Sequence, residues 1–166
     1  MVFPCGNACG LTLSTLVVGM PKNLDMIELK GSTLQSSIGF NLKRVYVAAY
    51  EDLKRRIADD RLTPQMLSVL TLIEENPGAS QSALARALGI ERSGMVVIID
   101  HLSKRELVIR RVSEKDRRKS IIDLTSSGQD VLTRARQQAA QHEDEFFALL
   151  NEHERTSLIA LLKKLQ

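Results

Sequence analysis

The chain has 166 residues, 43% of them hydrophobic and 26% charged, the composition of one globular domain with a full-sized core. Aromatic residues make up 4% and tryptophan is missing, which argues against a platform that stacks sugars or bases. The formal net charge is only +3, with a pI near 9.0, but from Gln81 to Lys119 ten lysines and arginines face five acids. That region is five positive and the remainder two negative, so the positive field belongs to one part of the chain, as a phosphate-binding surface requires.

Residues 1–32 read as an N-terminal extension, expected to be partly disordered. Cys5 and Cys9 in CGNACG have no second Cys or Cys/His pair to complete a zinc site. LTLSTLVVGM has the apolarity of a signal-peptide core but no Lys or Arg before it. The longest apolar run is too short to cross a bilayer, so a cytoplasmic location is expected. Met20 offers a second candidate start, which would place residues 1–19 upstream of the native frame.

Leu34, Ile38, Leu42, Val45, Ala49, Leu53 and Ile57 step by three and four, predicting one long amphipathic helix. Phe40, Val47 and Tyr50 add a second apolar strip. Thr63-Pro64 supplies an N-cap with proline at the first helical position, opening a helix over QMLSVLTLIEEN that Asn76-Pro77-Gly78 ends. Ser80 then caps a short helix predicted to turn Ala83, Leu84, Ala87 and Leu88 inward. Gly89 provides a tight turn, and a second helix runs from about Arg92 to Lys104. Val108-Ile109 and Ile121-Ile122 follow, flanking a loop that holds Arg110, Arg111, Lys115, Arg117, Arg118 and Lys119. Two short helices with a glycine at their turn, followed at once by a basic β-hairpin, is the order of a winged helix-turn-helix. Beyond it, Thr125 caps a long helix with Val131, Ala135, Ala139, His142, Phe146 and Leu149 on one stripe. Asn151-Glu152-His153-Glu154 has the form of a capping box opening a last helix with Leu158, Leu161, Leu162 and Leu165. The terminal helices carry more apolar stripe than a small winged domain covers, which predicts a second copy packed against them.

The wing carries Asp116, Arg118, Leu124 and Thr125, which match the pattern Asp-x-Arg, five residues, Leu-Thr. With SALARALGIERSGMVVIIDHLSKRELVIRR upstream, the chain from Leu34 to Gln166 resembles the MarR family of winged-helix regulators. The resemblance implies a mainly α, six-helix winged helix-turn-helix homodimer with a small β-hairpin wing. By this resemblance residues 33–166 are expected to form one such domain, with 33–60 and 125–166 as dimerisation helices and 63–124 as the DNA-binding lobe. It also implies recognition helices in successive major grooves of a pseudo-palindromic operator and wings in the flanking minor grooves. The sequence departs from the family twice: Val96 and Val97 stand where a polar residue and an arginine are usual, and Glu106 where a glycine precedes the wing strand.

The residues expected at DNA follow from this order. Arg92, Ser93 and Gly94 form the polar or small edge at the recognition-helix start, with Val96 or Val97 able to touch a thymine methyl. Arg118 is expected in the minor groove, held by Asp116 through a charge-assisted bond, with Arg117 beside it. Arg110, Arg111 and Lys119 are expected at phosphates. Ser80 and Gln81 either donate to phosphate or only cap a helix. In this family, aromatic acids, phenolics or acyl-thioesters often bind where the two lobes join. Phe40, Arg44, Tyr46 and Met66 are the candidates to line such a pocket, with Arg44 the partner for a carboxylate or phosphate. His101, His142 and His153 read as packing or surface residues, and no spacing suggests a metal. No nucleophile–base pair, metal set or phosphate-cradling loop is recognisable, so catalytic residues and cofactors are expected to be absent. The expected activity is repression of transcription, relieved by a small anionic aromatic or acyl effector. A constitutive DNA binder, a redox regulator using Cys5 and Cys9, and a winged protein-interaction module are the alternatives.

Overall fold

Side-chain caps set most helix boundaries in this protein. The structure, a computed structural model, describes residues 32–59, 61–112 and 120–166, all within the compact unit spanning residues 31–166. Helix α1 covers Ser32–Gln35 and α2 covers Ile38–Arg56. The single long helix expected from Leu34 is therefore broken, giving seven helices among the described residues where six were expected. The cause is Ser36-Ser37. Ser37 is extended (φ −77°, ψ 123°), and its hydroxyl faces the Phe40 amide at 3.5 Å. Ser36 donates to the Thr33 carbonyl at 3.0 Å, and Asn41 donates to those of Gln35 and Ser37. Short polar side chains here offer the backbone partners that compete with a continuous helix.

Helix α3, Pro64–Glu75, starts as expected, with the Thr63 hydroxyl accepting from the Met66 amide at 3.2 Å. Helix α4, Gln81–Ala87, is capped by Ser80. Its inward residues are Leu84 and Ala85, while Ala87 is exposed, so one inward position was misassigned in a helix of only two turns. Gly89, at φ +61°, makes the turn into α5, Arg92–Lys104. Strands β1, Val108–Val112, and β2, Ser120–Leu124, pair antiparallel with Val108 opposite Leu124 and Val112 opposite Ser120. The root of this hairpin is tied to the helix pair, because Ile122 donates its amide to the Ala79 carbonyl at 3.1 Å.

Helix α6, Ser126–Phe146, is capped by Thr125 and α7, Glu152–Lys163, by the reciprocal Asn151–Glu154 capping box. Gly128 lies against the chain entering β1, where an added Cβ would sit 2.0 Å from the Leu107 carbonyl oxygen. Only glycine permits α6 to start so close to the wing. The core gathers between α3, α5, β2 and α6, where Val69, Leu70, Ile73, Met95, Ile99, Leu102, Ile122 and Leu132 are almost fully buried. Each such side chain contributes about 1.5–3 kcal/mol, so the DNA-lobe elements share one rigid interior with α6. The terminal elements differ. Helix α7 has no buried residue, and Ile38, Leu42 and Val45 of α2 face solvent in the single chain.

Candidate nucleic-acid interface and effector cavity

Helix α5 turns Met95, Ile98, Ile99 and Leu102 into the core, which leaves Arg92, Ser93, Val96 and Val97 on its outer side, all exposed. Gly94 is half-buried, and a Cβ there would meet Ile90 at 3.3 Å, so a small residue lets α5 pack against the preceding turn. Arg92 stands at the positive end of its own helix, a placement that the helix dipole disfavours, and Glu91 caps α5 without a side-chain hydrogen bond. A cation kept against local preference at the outer edge suits an external anion.

Beside this helix, Arg110 on β1 forms an ion pair with Asp100 of α5. Arg111 lies 3.6 Å from Asp123 across the hairpin. The pairing of Arg110 neutralises the one acidic group on the outer side of α5. Ser80 uses its hydroxyl for the α4 cap and a 3.1 Å contact with Ser82, while the buried Gln81 Nε2 has no hydrogen-bond partner among the described residues. Asp116, Arg117, Arg118 and Lys119 lie outside the described residues. The structure thus brings Arg92, Ser93, Gly94, Val96 and Val97 together on one helix, with Arg110 and Arg111 on the adjoining strand.

Two cavities flank α2. One, of about 430 Å³, is lined by Tyr46, Tyr50, Gln65, Ser68, His142 and Phe147 among others from α2, α3, the α4–α5 turn and α6. The second, of about 830 Å³, lies between α2 and α7, with Ile38, Leu42, Val45, Leu158, Ile159 and Leu162 in its wall. Of the expected effector residues only Tyr46 lines either cavity, and it lines both. Arg44 instead places its guanidinium over the Phe40 ring, 5.6 Å from the centroid, and Met66 packs against the core. His142 was assigned to packing; it is buried but also reaches the smaller cavity.

His142 belongs to a charged cluster joining α2 to α6. Asp52, 5% exposed, accepts from Arg55 at 2.8 Å and Arg56 at 2.7 Å, and Arg56 also binds Glu145. Burial raises the Asp52 pKa, but the two arginines outweigh it and hold the carboxyl below its ordinary value. His142 Nε2 sits 3.6 Å from Asp52 without a hydrogen bond, and its ring stacks on Phe146 with centroids 5.2 Å apart. Burial pushes the imidazole below its ordinary value, against the opposing pull of Asp52 and a hydrogen bond with the Ala49 backbone.

Two short helices at a glycine turn, a recognition-type helix with a cationic outer edge and an antiparallel wing packed behind it define a winged helix-turn-helix protein. Residues 62–119 match the sequence pattern of the MarR family, and the chain belongs to that family of transcriptional regulators. It is 36% identical over 148 residues to a putative transcriptional regulatory protein for the hcr operon of Thauera aromatica, covering 89% of each chain. Among solved structures it resembles the transcriptional repressor CouR bound to a 23-mer DNA duplex, at 37% identity and a TM-score of 0.75, over 86% of this chain and 97% of that one. CouR bound to p-coumaroyl-CoA is similar at 36% identity and a TM-score of 0.75, over 82% of this chain and 96% of the other. Among the described residues no helix is long and apolar enough to cross a membrane, and no cluster of three potential metal ligands occurs.

Proposed function

We propose that this chain acts as a homodimeric, cytoplasmic repressor without catalytic activity, binding a pseudo-palindromic operator and leaving it when a small anionic aromatic or acyl effector binds. Residues 33–60 and 125–166 would dimerise and 63–124 would contact DNA. Helix α5 would present Arg92, Ser93, Gly94, Val96 and Val97 to the major groove, and the wing residues Asp116, Arg117, Arg118 and Lys119 would reach the minor groove and its phosphates. Ser80, Gln81, Arg110 and Arg111 would border the same surface. The observation that carries this reading is the outer side of α5, exposed and edged by Arg92, in a fold shared with a DNA-bound repressor.

The effector reading rests on the smaller cavity, whose walls come from α2 and α6 on one side and from α3 and the α4–α5 turn on the other. A ligand there touches both lobes and has the means to favour one spacing of the recognition helices over another. The CouR complex with p-coumaroyl-CoA makes hydroxyaryl acids and their thioesters the compounds to screen. Phe40, Arg44 and Met66 lie outside the cavity walls, so within the proposed set Tyr46 is the residue best placed to touch such a ligand.

Titration of the protein and of Arg118→Ala against duplex DNA at several salt concentrations tests the interface. Each lost phosphate contact flattens the dependence of log affinity on log salt by about one, hence about two for a dimer. Unchanged affinity and slope for Arg118→Ala would remove the wing from the interface. If no hydroxyaryl acid or thioester releases the operator, the protein is a constitutive binder instead.

A further inference from the structure

From Gly94 to Ile99 helix α5 carries no polar side chain. Three of the residues in that span, Met95, Ile98 and Ile99, fill the core, but Val96 and Val97 are 41% and 68% exposed. Two adjacent β-branched residues, exposed in mid-helix, run against both helix propensity and burial of apolar surface, and the described residues leave both exposed. The flanking charges on the same helix are cationic, with Arg92 one turn before Val96 and Lys104 two turns after Val97, both exposed. The acid nearest on the same side, Asp100, is neutralised by Arg110. An apolar centre within a cationic frame fits a polyanion that displays apolar groups between its phosphates. In the major groove of duplex DNA that group is the thymine C5 methyl.

We infer that Val96 and Val97 read thymine methyl groups in each operator half-site, so that mid-helix specificity comes from methyl contact and not from hydrogen bonds to base edges. The inference rests on the DNA-binding reading above and narrows it to a base. Arg92 and Ser93 remain the hydrogen-bonding groups at the helix start, which places the methyl-reading step beside a polar one.

The test uses the full chain and duplexes it selects from a random library. In a selected duplex each thymine is replaced singly by deoxyuridine, which removes the methyl and leaves base pairing intact. The parent should lose about three- to fivefold in affinity at one or two thymines per half-site, the effect of exposing one buried methyl. Val97→Ala or Val96→Ala, which alters both half-sites of the dimer, should bind the thymine duplex weaker by about that factor squared, roughly nine- to twenty-five-fold, and no longer respond to uracil at that position. Both substitutions lie on the exposed side of α5, and unchanged circular dichroism and melting would verify folding. Tolerance of uracil at every thymine overturns the inference, as does full uracil sensitivity in both alanine variants. Failure to select any duplex at low salt is a different result, and it removes the DNA-binding reading itself.

Discussion

Glu106 holds a left-handed backbone conformation, φ 56°, that costs a side chain bearing a Cβ about 1–2 kcal/mol. The conformation is imposed by the end of α5. The Glu106 amide donates to Ser103 at 2.9 Å and the Leu107 amide to Leu102 at 3.0 Å, the paired bonds of a Schellman motif whose αL position prefers glycine. The Glu106 carbonyl is then fixed by the Thr125 hydroxyl at 2.6 Å. The sequence puts a glutamate where a glycine is usual in the family, and the backbone keeps the left-handed geometry and tolerates the strain. Glu106→Gly should therefore stabilise the fold by about 1 kcal/mol, because relief of strain is partly offset by the greater freedom of glycine in the unfolded chain. Urea unfolding should show a higher midpoint with an unchanged slope. A lower midpoint would mean that the glutamate side chain stabilises the turn by contacts greater than its strain.

Helices were legible from period and caps wherever one side of the element faces the core. Thr63, Ser80, Thr125 and Asn151 all cap as read, since a cap is a local bond between residues three apart. The break at Ser37 and the inward turn of Ala85 were not legible, because the first depends on competing local hydrogen bonds and the second on a helix too short to define a stripe. The cluster between α2 and α6 was also hidden: Asp52 and His142 lie ninety positions apart in sequence, and only packing makes them neighbours. It gives these elements a pH dependence. His142 is held below its ordinary value in the folded state, about 6.5 for a free side chain. The unfolded chain therefore takes the proton first, and the stabilisation present above pH 6.5 is lost as pH falls through the folded value. Asp52 and Asp59 are also depressed, below 3.8, so their contributions hold down to about pH 4 and disappear only below it. Urea unfolding at pH 8, 6.5 and 5 and one protein concentration should show stability declining between the last two, and His142→Gln should flatten that step. Equal stability of the parent at pH 8 and 5 would contradict the assignment.

At the scale of the whole molecule, the module order was legible because a helix-turn-helix and its wing are contiguous in sequence, whereas both cavities are made by helices far apart along the chain. The same distinction bears on assembly. Ile38, Leu42 and Val45 on α2 and Leu158, Ile159, Leu161 and Leu165 at the C-terminal end are exposed large hydrophobics, and several of them line the 830 Å³ cavity. An apolar surface of this extent is more than a monomer leaves to water. A second copy packed on it would form an isologous interface of more than roughly 2,000 Å² in total. It would also set the distance between two α5 helices, as a pseudo-palindromic site requires. Light scattering at low micromolar concentration should therefore give the dimer mass, and the thermal midpoint should rise with protein concentration. Ile159→Asp puts a charge into the middle of this surface, where an unpaired buried carboxylate is strongly disfavoured. The variant should dissociate or unfold at concentrations where the parent is dimeric and lose operator binding, because a half-site alone holds one recognition helix. A folded monomeric parent, or an Ile159→Asp variant that remains a dimer with full operator affinity, would show that this surface does not hold the protein together.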